Sequence, residues 1–225
     1  IFNYDIKRFQ KFHSDLDFIK NRVTESLGDL YGMHWPYKQH ETSRNIKTLP
    51  YHDVLKEFGA CFGVSGGYER PMWFAIDGEN NKYQYSYNFQ NWYPSVEYET
   101  KNTVKNVGLY DLTPFSKFEI NSKDAHQELQ KICTANVKNE VGNCTYTQML
   151  NKDGGIETDL TIVCLDKNYF RIISSAATRE RDKFHIKKHI SEHIELKDVT
   201  DDYCVFGIFG PKSRLLMQKL TNEDL

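Results

Sequence analysis

The sequence predicts an α+β fold in which mixed or antiparallel sheets pack against helices. Apolar residues near the start of the chain recur every three or four positions, as in a helix, whereas residues 145–150, 157–165 and 168–175 read as strands. Tight turns join some predicted strands and helices separate others, which favours an α+β layer fold over a βαβ repeat. The chain has 225 residues, 39% of them hydrophobic, and is long enough to bury a core without disulfides.

The first predicted helix begins after Asp15 and ends near Tyr31. Its apolar stripe consists of Leu16, Ile19, Val23, Leu27 and Leu30. Residues 33–50 have no periodicity and contain two prolines, which indicates a connection between two units. A short helix is predicted over residues 52–58.

Glycines then cluster in residues 59–67, followed by an aromatic-rich segment at residues 68–74. The glycine spacing matches neither a dinucleotide fingerprint nor a Walker loop, so it does not predict a phosphate site.

The second half of the chain has the more regular pattern. A helix is predicted with an inward stripe of Val96, Thr100, Thr103, Val104 and Val107. A strand over residues 115–120 precedes a helix that Ser122 can cap. After the three strands named above, we expect a helix over residues 179–194, a strand over 203–209 and a helix opened by Gly210-Pro211.

Composition excludes several classes of partner. A net charge of −2 gives no field that would gather nucleic acid or an anionic membrane. The five cysteines are widely spaced without a C-x-x-C pair, which indicates a reducing compartment rather than a disulfide framework or zinc knuckle. No apolar run is long enough for a membrane span, and no secretory leader is visible. We expect the bacterial cytoplasm, with the mitochondrial matrix as the alternative.

Asp159 is the candidate chemical residue. Asp153-Gly154-Gly155 is typical of a turn between antiparallel strands. Alternation beyond this turn puts Thr158 and Leu160 on one face and Asp159 on the other, two positions before that face becomes apolar. Such a carboxylate either stays in water near the rim of the sheet or needs a partner that compensates its desolvation. The pattern leaves both a structural and a functional role open.

His185, His189 and His193 recur every four residues on a predicted helix, a geometry that can chelate a metal. They flank the apolar stripe of Ile186, Ile190 and Ile194 among charged residues, which favours a solvated helix flank. We therefore predict no metal site.

Several ordered motifs resemble the folate-binding domain of the glycine-cleavage T-protein (aminomethyltransferase) family. Tyr146-Thr-Gln-Met-Leu-Asn151 with Gly154-Gly-Ile-Glu-Thr-Asp-Leu160 carries the resemblance, as does Gly108-Leu-Tyr-Asp-Leu-Thr-Pro-Phe115. Ser174-Ser-Ala-Ala-Thr-Arg-Glu-Arg-Asp182 and Phe209-Gly-Pro-Lys-Ser213 are similar to later family elements in the same order.

Upstream motifs resemble a narrower subfamily. His34-Trp-Pro36 and Gly67-Tyr-Glu-Arg-Pro-Met-Trp-Phe74 look like the members fused behind FAD-dependent dimethylglycine and sarcosine dehydrogenases. The resemblance implies that residues 1–50 are the C-terminal tail of the flavoprotein half with its connection. Residues 51–225 would be a T-protein-like folate-binding domain, incomplete at its C-terminus.

The resemblance also implies a chemistry. The flavin half of such enzymes oxidises an N-methylated glycine to an iminium, and tetrahydrofolate captures the one-carbon unit as 5,10-methylenetetrahydrofolate. Asp159 takes the position of the family's key acid, while the preceding acid of the family is Thr158 here. Tyr146 and Phe115 take positions that line the pterin pocket. Tetrahydrofolate is thus the expected cofactor of this chain, and FAD would be bound by the part upstream.

Two alternatives stay open. A non-catalytic regulator is one, since the regulatory subunit of pyruvate dehydrogenase phosphatase resembles the same fused architecture. A stand-alone T-protein-like aminomethyltransferase is the other, and residues 1–50 argue against it.

Overall fold

A computed structural model describes residues 6–76 and 80–225; residues 1–5, the start of the predicted flavoprotein tail, lie outside the described part. The chain divides into two compact units. The first comprises residues 1–10 and 114–203, and the second comprises residues 11–113 and 204–225. These units cut across the predicted boundary at residue 50, because they reflect contacts in space whereas that boundary reflects family resemblance.

The first unit is built on a five-stranded antiparallel sheet. Its strands are β4 (Ser116–Asn121), β5 (Cys144–Leu150), β6 (Ile156–Asp166), β7 (Tyr169–Ser174) and β8 (Lys197–Asp198), and their order across the sheet is β5-β6-β7-β4-β8. The α-helices of this unit in the described part are α4 (Ala125–Ile132) and α5 (Arg179–His189). The predicted strands near 115–120, 145–150, 157–165 and 168–175 are thereby confirmed within two residues.

The core of this unit lies on one face of the sheet, which we call the core face. Alternate residues of β4, β6 and β7 are buried there together with one residue of β5, and α4 and α5 cover them with Leu129 and Ile186. The strand members of this cluster are Phe118, Ile120, Met149, Leu160, Ile162, Cys164, Phe170 and Ile172. Residues between them point to the opposite side, which we call the open face.

Two helix predictions in this unit need correction. The N-cap residue of α4 is Asp124 rather than Ser122, although Ser122 Oγ accepts from the Asp124 amide at 3.3 Å and the Ser122 carbonyl accepts from the Ala125 amide. α5 ends at His189 instead of continuing to residue 194, since Ile190 is already extended (φ −94°, ψ 159°). The amide of Ser191 donates to the Glu128 carboxylate at 2.8 Å, so a tertiary contact replaces the next helical hydrogen bond.

In the described part of the second unit, the strands form two antiparallel pairs. β1 (Ala60–Ser65) pairs with β2 (Tyr68–Phe74), and β3 (Gly108–Asp111) pairs with β9 (Phe206–Phe209). Gly66 and Gly67 join β1 to β2 with φ of 60° and 84°, the left-handed backbone of a two-residue turn. The glycines of residues 59–67 therefore serve a hairpin.

The helices of the second unit are α1 (Leu16–Asp29), α2 (His52–Glu57), α3 (Tyr93–Lys105) and α6 (Ser213–Met217). α1 begins after Asp15 as predicted, and the Asp15 side chain caps it by accepting from the Phe18 amide at 2.8 Å. The predicted inward stripe of α3 is wrong, since Val104 is exposed and Ser95 is the buried residue of this helix. Each helix within residues 6–76 and 80–225 falls short of the length and apolarity that crossing a membrane requires.

Candidate functional site

The turn between β5 and β6 places Asp159 near one end of the sheet. Gly154 has φ of 81°, a backbone that glycine adopts without steric cost. The Asn151 side chain accepts from the Gly155 amide at 2.9 Å, and the Asn151 amide donates to the Gly155 carbonyl at 2.8 Å. These contacts close the hairpin and fix the register in which Gln148 lies opposite Asp159.

The alternation predicted for β6 is confirmed. Thr158, Leu160 and Ile162 are buried on the core face, whereas Asp159 is exposed on the open face. Of the two environments considered for this carboxylate, the structure therefore shows the solvated one.

Tyr146 is the partner of Asp159. Tyr146 lies opposite Thr161 in the β5–β6 ladder, so its ring reaches Asp159 diagonally on the open face. Its phenol Oη donates to Oδ2 of Asp159 at 3.0 Å. The tyrosine stays 63% exposed, and in the described part of the chain no protein group donates to Oδ1 of Asp159. One carboxylate oxygen is thus held by the protein and the other is available to a ligand.

Phe115 lies at the same end of the sheet. Ser116, Ser174 and Leu160 form one row across β4, β7 and β6. Phe115 occupies a bend immediately before β4, so strand alternation does not assign its side chain to a face. Its ring is partly exposed. The three candidate residues therefore lie at one end of the sheet, and Tyr146 and Asp159 are joined by a hydrogen bond.

Lys117 supports the Phe115 position. This lysine is only 1% exposed, and its Nζ donates to the Phe115 carbonyl oxygen at 2.8 Å. The sequence analysis did not select Lys117 as a residue of the site. Strand alternation could have done so, because it puts Lys117 on the open face, in the row of Thr161 and Ile173. The lysine fixes the backbone from which the Phe115 ring projects.

The residue before Asp159 faces the other way. Thr158 lies on the core face beside the buried carboxyl of Asp182, which is 1% exposed. Thr178 Oγ1 donates to Oδ2 of Asp182 at 2.6 Å, whereas Oδ1 has no hydrogen bond in the described part and lies 3.6 Å from Nε of Arg181. Desolvation raises the pKa of Asp182. The hydroxyls of Thr178 and Ser174, then the Arg181 charge and the Thr158 hydroxyl, oppose that rise. A second acid at position 158 would have faced Asp182, not the open face.

Asp111, from the block Gly108 to Phe115, has a structural setting in the second unit. Its Oδ1 accepts from the Tyr51 hydroxyl at 2.7 Å and from the Thr113 amide at 2.9 Å. Arg70 Nε lies 3.9 Å from Oδ2. These bonds fix the end of β3.

Metal ligation finds little support within residues 6–76 and 80–225. The carboxylates of Glu25 and Asp29 lie near His40, but Glu25 accepts from the Glu41 and Thr42 amides, and Lys38 pairs with Asp29. Both Glu25 oxygens and Oδ1 of Asp29 therefore already have protein partners.

The predicted histidine row is broken. His193 lies beyond the end of α5 and contacts Asp124. His189 Nδ1 contacts the His185 carbonyl oxygen, and burial, then the neighbouring His189, lower the pKa of His185.

Comparison with known proteins identifies the family. The model of the GCVT N-terminal domain matches residues 51–225, and that of the FAD dependent oxidoreductase central domain matches residues 1–48. The chain is similar to 4-methylaminobutanoate oxidase (formaldehyde-forming) of Paenarthrobacter nicotinovorans, at 37% identity over 98% of this chain and 27% of the relative. It is also similar to mitochondrial dimethylglycine dehydrogenase of Mus musculus, at 33% identity over 98% of this chain and 26% of the relative.

A solved structure supports the fold. The glycine cleavage system aminomethyltransferase T from Bartonella henselae aligns with a TM-score of 0.63 and 19% identity, over 77% of this chain and 43% of that one. This likeness confirms the predicted α+β T-protein-like fold. The chain spans only about a quarter of the length of the curated relatives named above. With a family model covering most of its residues, the chain belongs to the GCVT N-terminal domain family.

Proposed function

We propose that this chain is the folate-binding part of an FAD-dependent N-methyl amine dehydrogenase of the dimethylglycine or sarcosine type. Its task is to pass the one-carbon unit of the oxidised amine to tetrahydrofolate, giving 5,10-methylenetetrahydrofolate. The observation that carries the proposal is the exposed Asp159 carboxylate, held through Oδ2 by Tyr146 and open at Oδ1.

The donor set of this face fits a reduced pterin. A carboxylate accepts hydrogen bonds from N–H groups and an aromatic ring packs against a flat heterocycle, which suits a ring system with a polar edge and two broad faces. Asp159 would hold the pterin N–H edge, while Tyr146 and Phe115 would flank the ring. When bound, tetrahydrofolate supplies the nitrogen nucleophiles that accept the one-carbon unit.

Asp159 has two tasks in this proposal. It orients the pterin, and its carboxylate accepts or returns a proton near the folate nitrogens during transfer. The Tyr146 hydrogen bond restricts the carboxylate to one orientation. Thr158 does not weaken the proposal, because its side chain lies on the core face.

We further propose that residues 1–50 belong to the oxidoreductase part and residues 51–225 to the folate-binding part. FAD would be bound by sequence outside this chain, so residues 1–225 alone should not oxidise an amine. All five cysteines are free thiols, in keeping with the reducing compartment proposed for it, the bacterial cytoplasm.

The test uses the polypeptide that carries the oxidoreductase part together with this chain. Asp159→Asn should leave amine oxidation nearly unchanged, while 5,10-methylenetetrahydrofolate falls and free formaldehyde rises. Asp153→Asn, which neutralises an exposed carboxylate in the nearby turn, is the matched control and should retain the wild-type partition.

The products of the wild-type polypeptide also test the proposal. The 4-methylaminobutanoate oxidase relative is described as formaldehyde-forming, so the amount of free formaldehyde has to be compared with and without tetrahydrofolate. If formaldehyde release in the wild type is the same with and without tetrahydrofolate, the folate role is wrong. A polypeptide that neither oxidises an N-methyl amine nor binds folate would instead support the regulatory alternative.

A further inference from the structure

α1 has an inverted amphipathic arrangement. The apolar stripe predicted to be its buried side, Leu16, Ile19, Val23, Leu27 and Leu30, is exposed over its whole length, with side chains 40–79% accessible. α1 has no buried residue in this structure. An amphipathic helix ordinarily turns such a stripe towards a core.

The opposite side of α1 is the one that contacts its own unit. Arg22 donates to the Thr42 carbonyl at 2.8 Å, and Glu25 accepts from the Glu41 and Thr42 amides at 2.6 Å and 3.1 Å. Asp29 pairs with Lys38 one turn further on. Polar contacts thus fix the orientation of the helix and direct the apolar stripe outwards.

We infer that this stripe is an interface for the FAD-binding oxidoreductase part of the same polypeptide. α1 falls entirely within residues 1–48, which match the FAD dependent oxidoreductase central domain rather than the family of residues 51–225. The relative at 37% identity is matched over only 27% of its length, so about three quarters of that relative lies outside the part that this chain matches. The inference rests on the proposed function in that it takes the oxidoreductase part to be present.

The dimensions suit a domain interface. A helix of 14 residues is about 21 Å long, and five aliphatic side chains along it form a continuous apolar strip of the kind that marks interaction sites. The stripe carries no charged residue, so its burial leaves no unpaired charge in the contact.

Hydrogen–deuterium exchange of the α1 amides tests this inference, by comparing residues 1–225 with the polypeptide that includes the oxidoreductase part. We expect exchange in α1 to be about tenfold slower in the longer polypeptide. Val23→Glu with Leu27→Lys should remove that protection while keeping the helix, because a Glu–Lys pair four residues apart is helix-stabilising. Asp17→Glu with Asn21→Lys installs the same pair on the flank away from the stripe and should leave protection intact.

Equal exchange in the two polypeptides would overturn the inference. A dimer of residues 1–225 that the Val23/Leu27 variant dissociates would also overturn it, by making a second copy the occupant. The exchange measurement does not depend on the folate chemistry. If α1 were protected in a polypeptide that forms no 5,10-methylenetetrahydrofolate, the proposed function would be wrong and the inferred interface would remain supported.

Discussion

The Tyr146 phenol donates to the Asp159 carboxylate across the β5–β6 ladder at 3.0 Å. Both side chains are exposed, so this bond contributes little to folding and its main effect is on the orientation of the carboxylate.

Tyr146→Phe removes the donor and keeps the ring. In the polypeptide with the oxidoreductase part, we expect the rate of one-carbon transfer to fall about three- to tenfold, since one hydrogen bond to a partly solvated carboxylate is lost. The melting temperature should stay unchanged. Single-turnover formation of 5,10-methylenetetrahydrofolate measures the effect. A rate equal to wild type would show that Tyr146 does not orient Asp159.

Asp182→Asn tests the buried carboxyl beneath β6. Desolvation raises the pKa of Asp182 above the unfolded value of about 3.9, so its contribution to stability is complete below that value and is lost as the pH rises through the folded-state pKa. We therefore expect the asparagine variant to gain stability relative to wild type as the pH increases above about 4.

Urea unfolding of both proteins between pH 4 and pH 8 measures this difference. Thr178→Val is the companion variant, because loss of its 2.6 Å hydrogen bond should raise the pKa of Asp182 further and destabilise the protein at neutral pH. A difference between wild type and Asp182→Asn that is independent of pH would contradict the argument.

Glu128→Gln should show the opposite pH dependence. Lys131, and then the Ser191 amide, lower the pKa of Glu128 to about 2. Because the unfolded pKa is about 4.3, the contribution of this carboxylate is complete above that value and is lost as the pH falls through about 2. The glutamine variant should be less stable than wild type at pH 7, and the difference should shrink below pH 4.

Thermal unfolding between pH 3 and pH 7 measures that trend, with the exposed Glu192→Gln as control. A constant difference across this range would show that the Lys131 and Ser191 contacts do not act through the charge.

The sequence predicted the central strands well because period-two alternation is a local property that burial on one face enforces. It could not predict where α5 ends, since the stripe of Ile186, Ile190 and Ile194 continues past the helix and only the Glu128–Ser191 contact explains the stop. It also missed the β1–β2 hairpin, because Pro71 within β2 and the glycine cluster resemble a loop.

The candidate site was predictable in part. Alternation and the family resemblance selected Asp159, but the contact with Tyr146 depends on the ladder register, and a bulge between Met149 and Leu150 shifts that register. The outward stripe of α1 was not predictable, since periodicity gives the position of an apolar side but not what covers it.

Thr158 and Asp159 face opposite sides of one strand, so these two neighbouring side chains have different surroundings and different reasons to be retained. Position 158 packs with the hydroxyl cluster around Asp182, whereas in the proposed function position 159 contacts the ligand. Under that proposal, a substitution at 159 in a relative of this chain should mark the loss of folate-dependent transfer, whereas the lack of an acid at 158 should not.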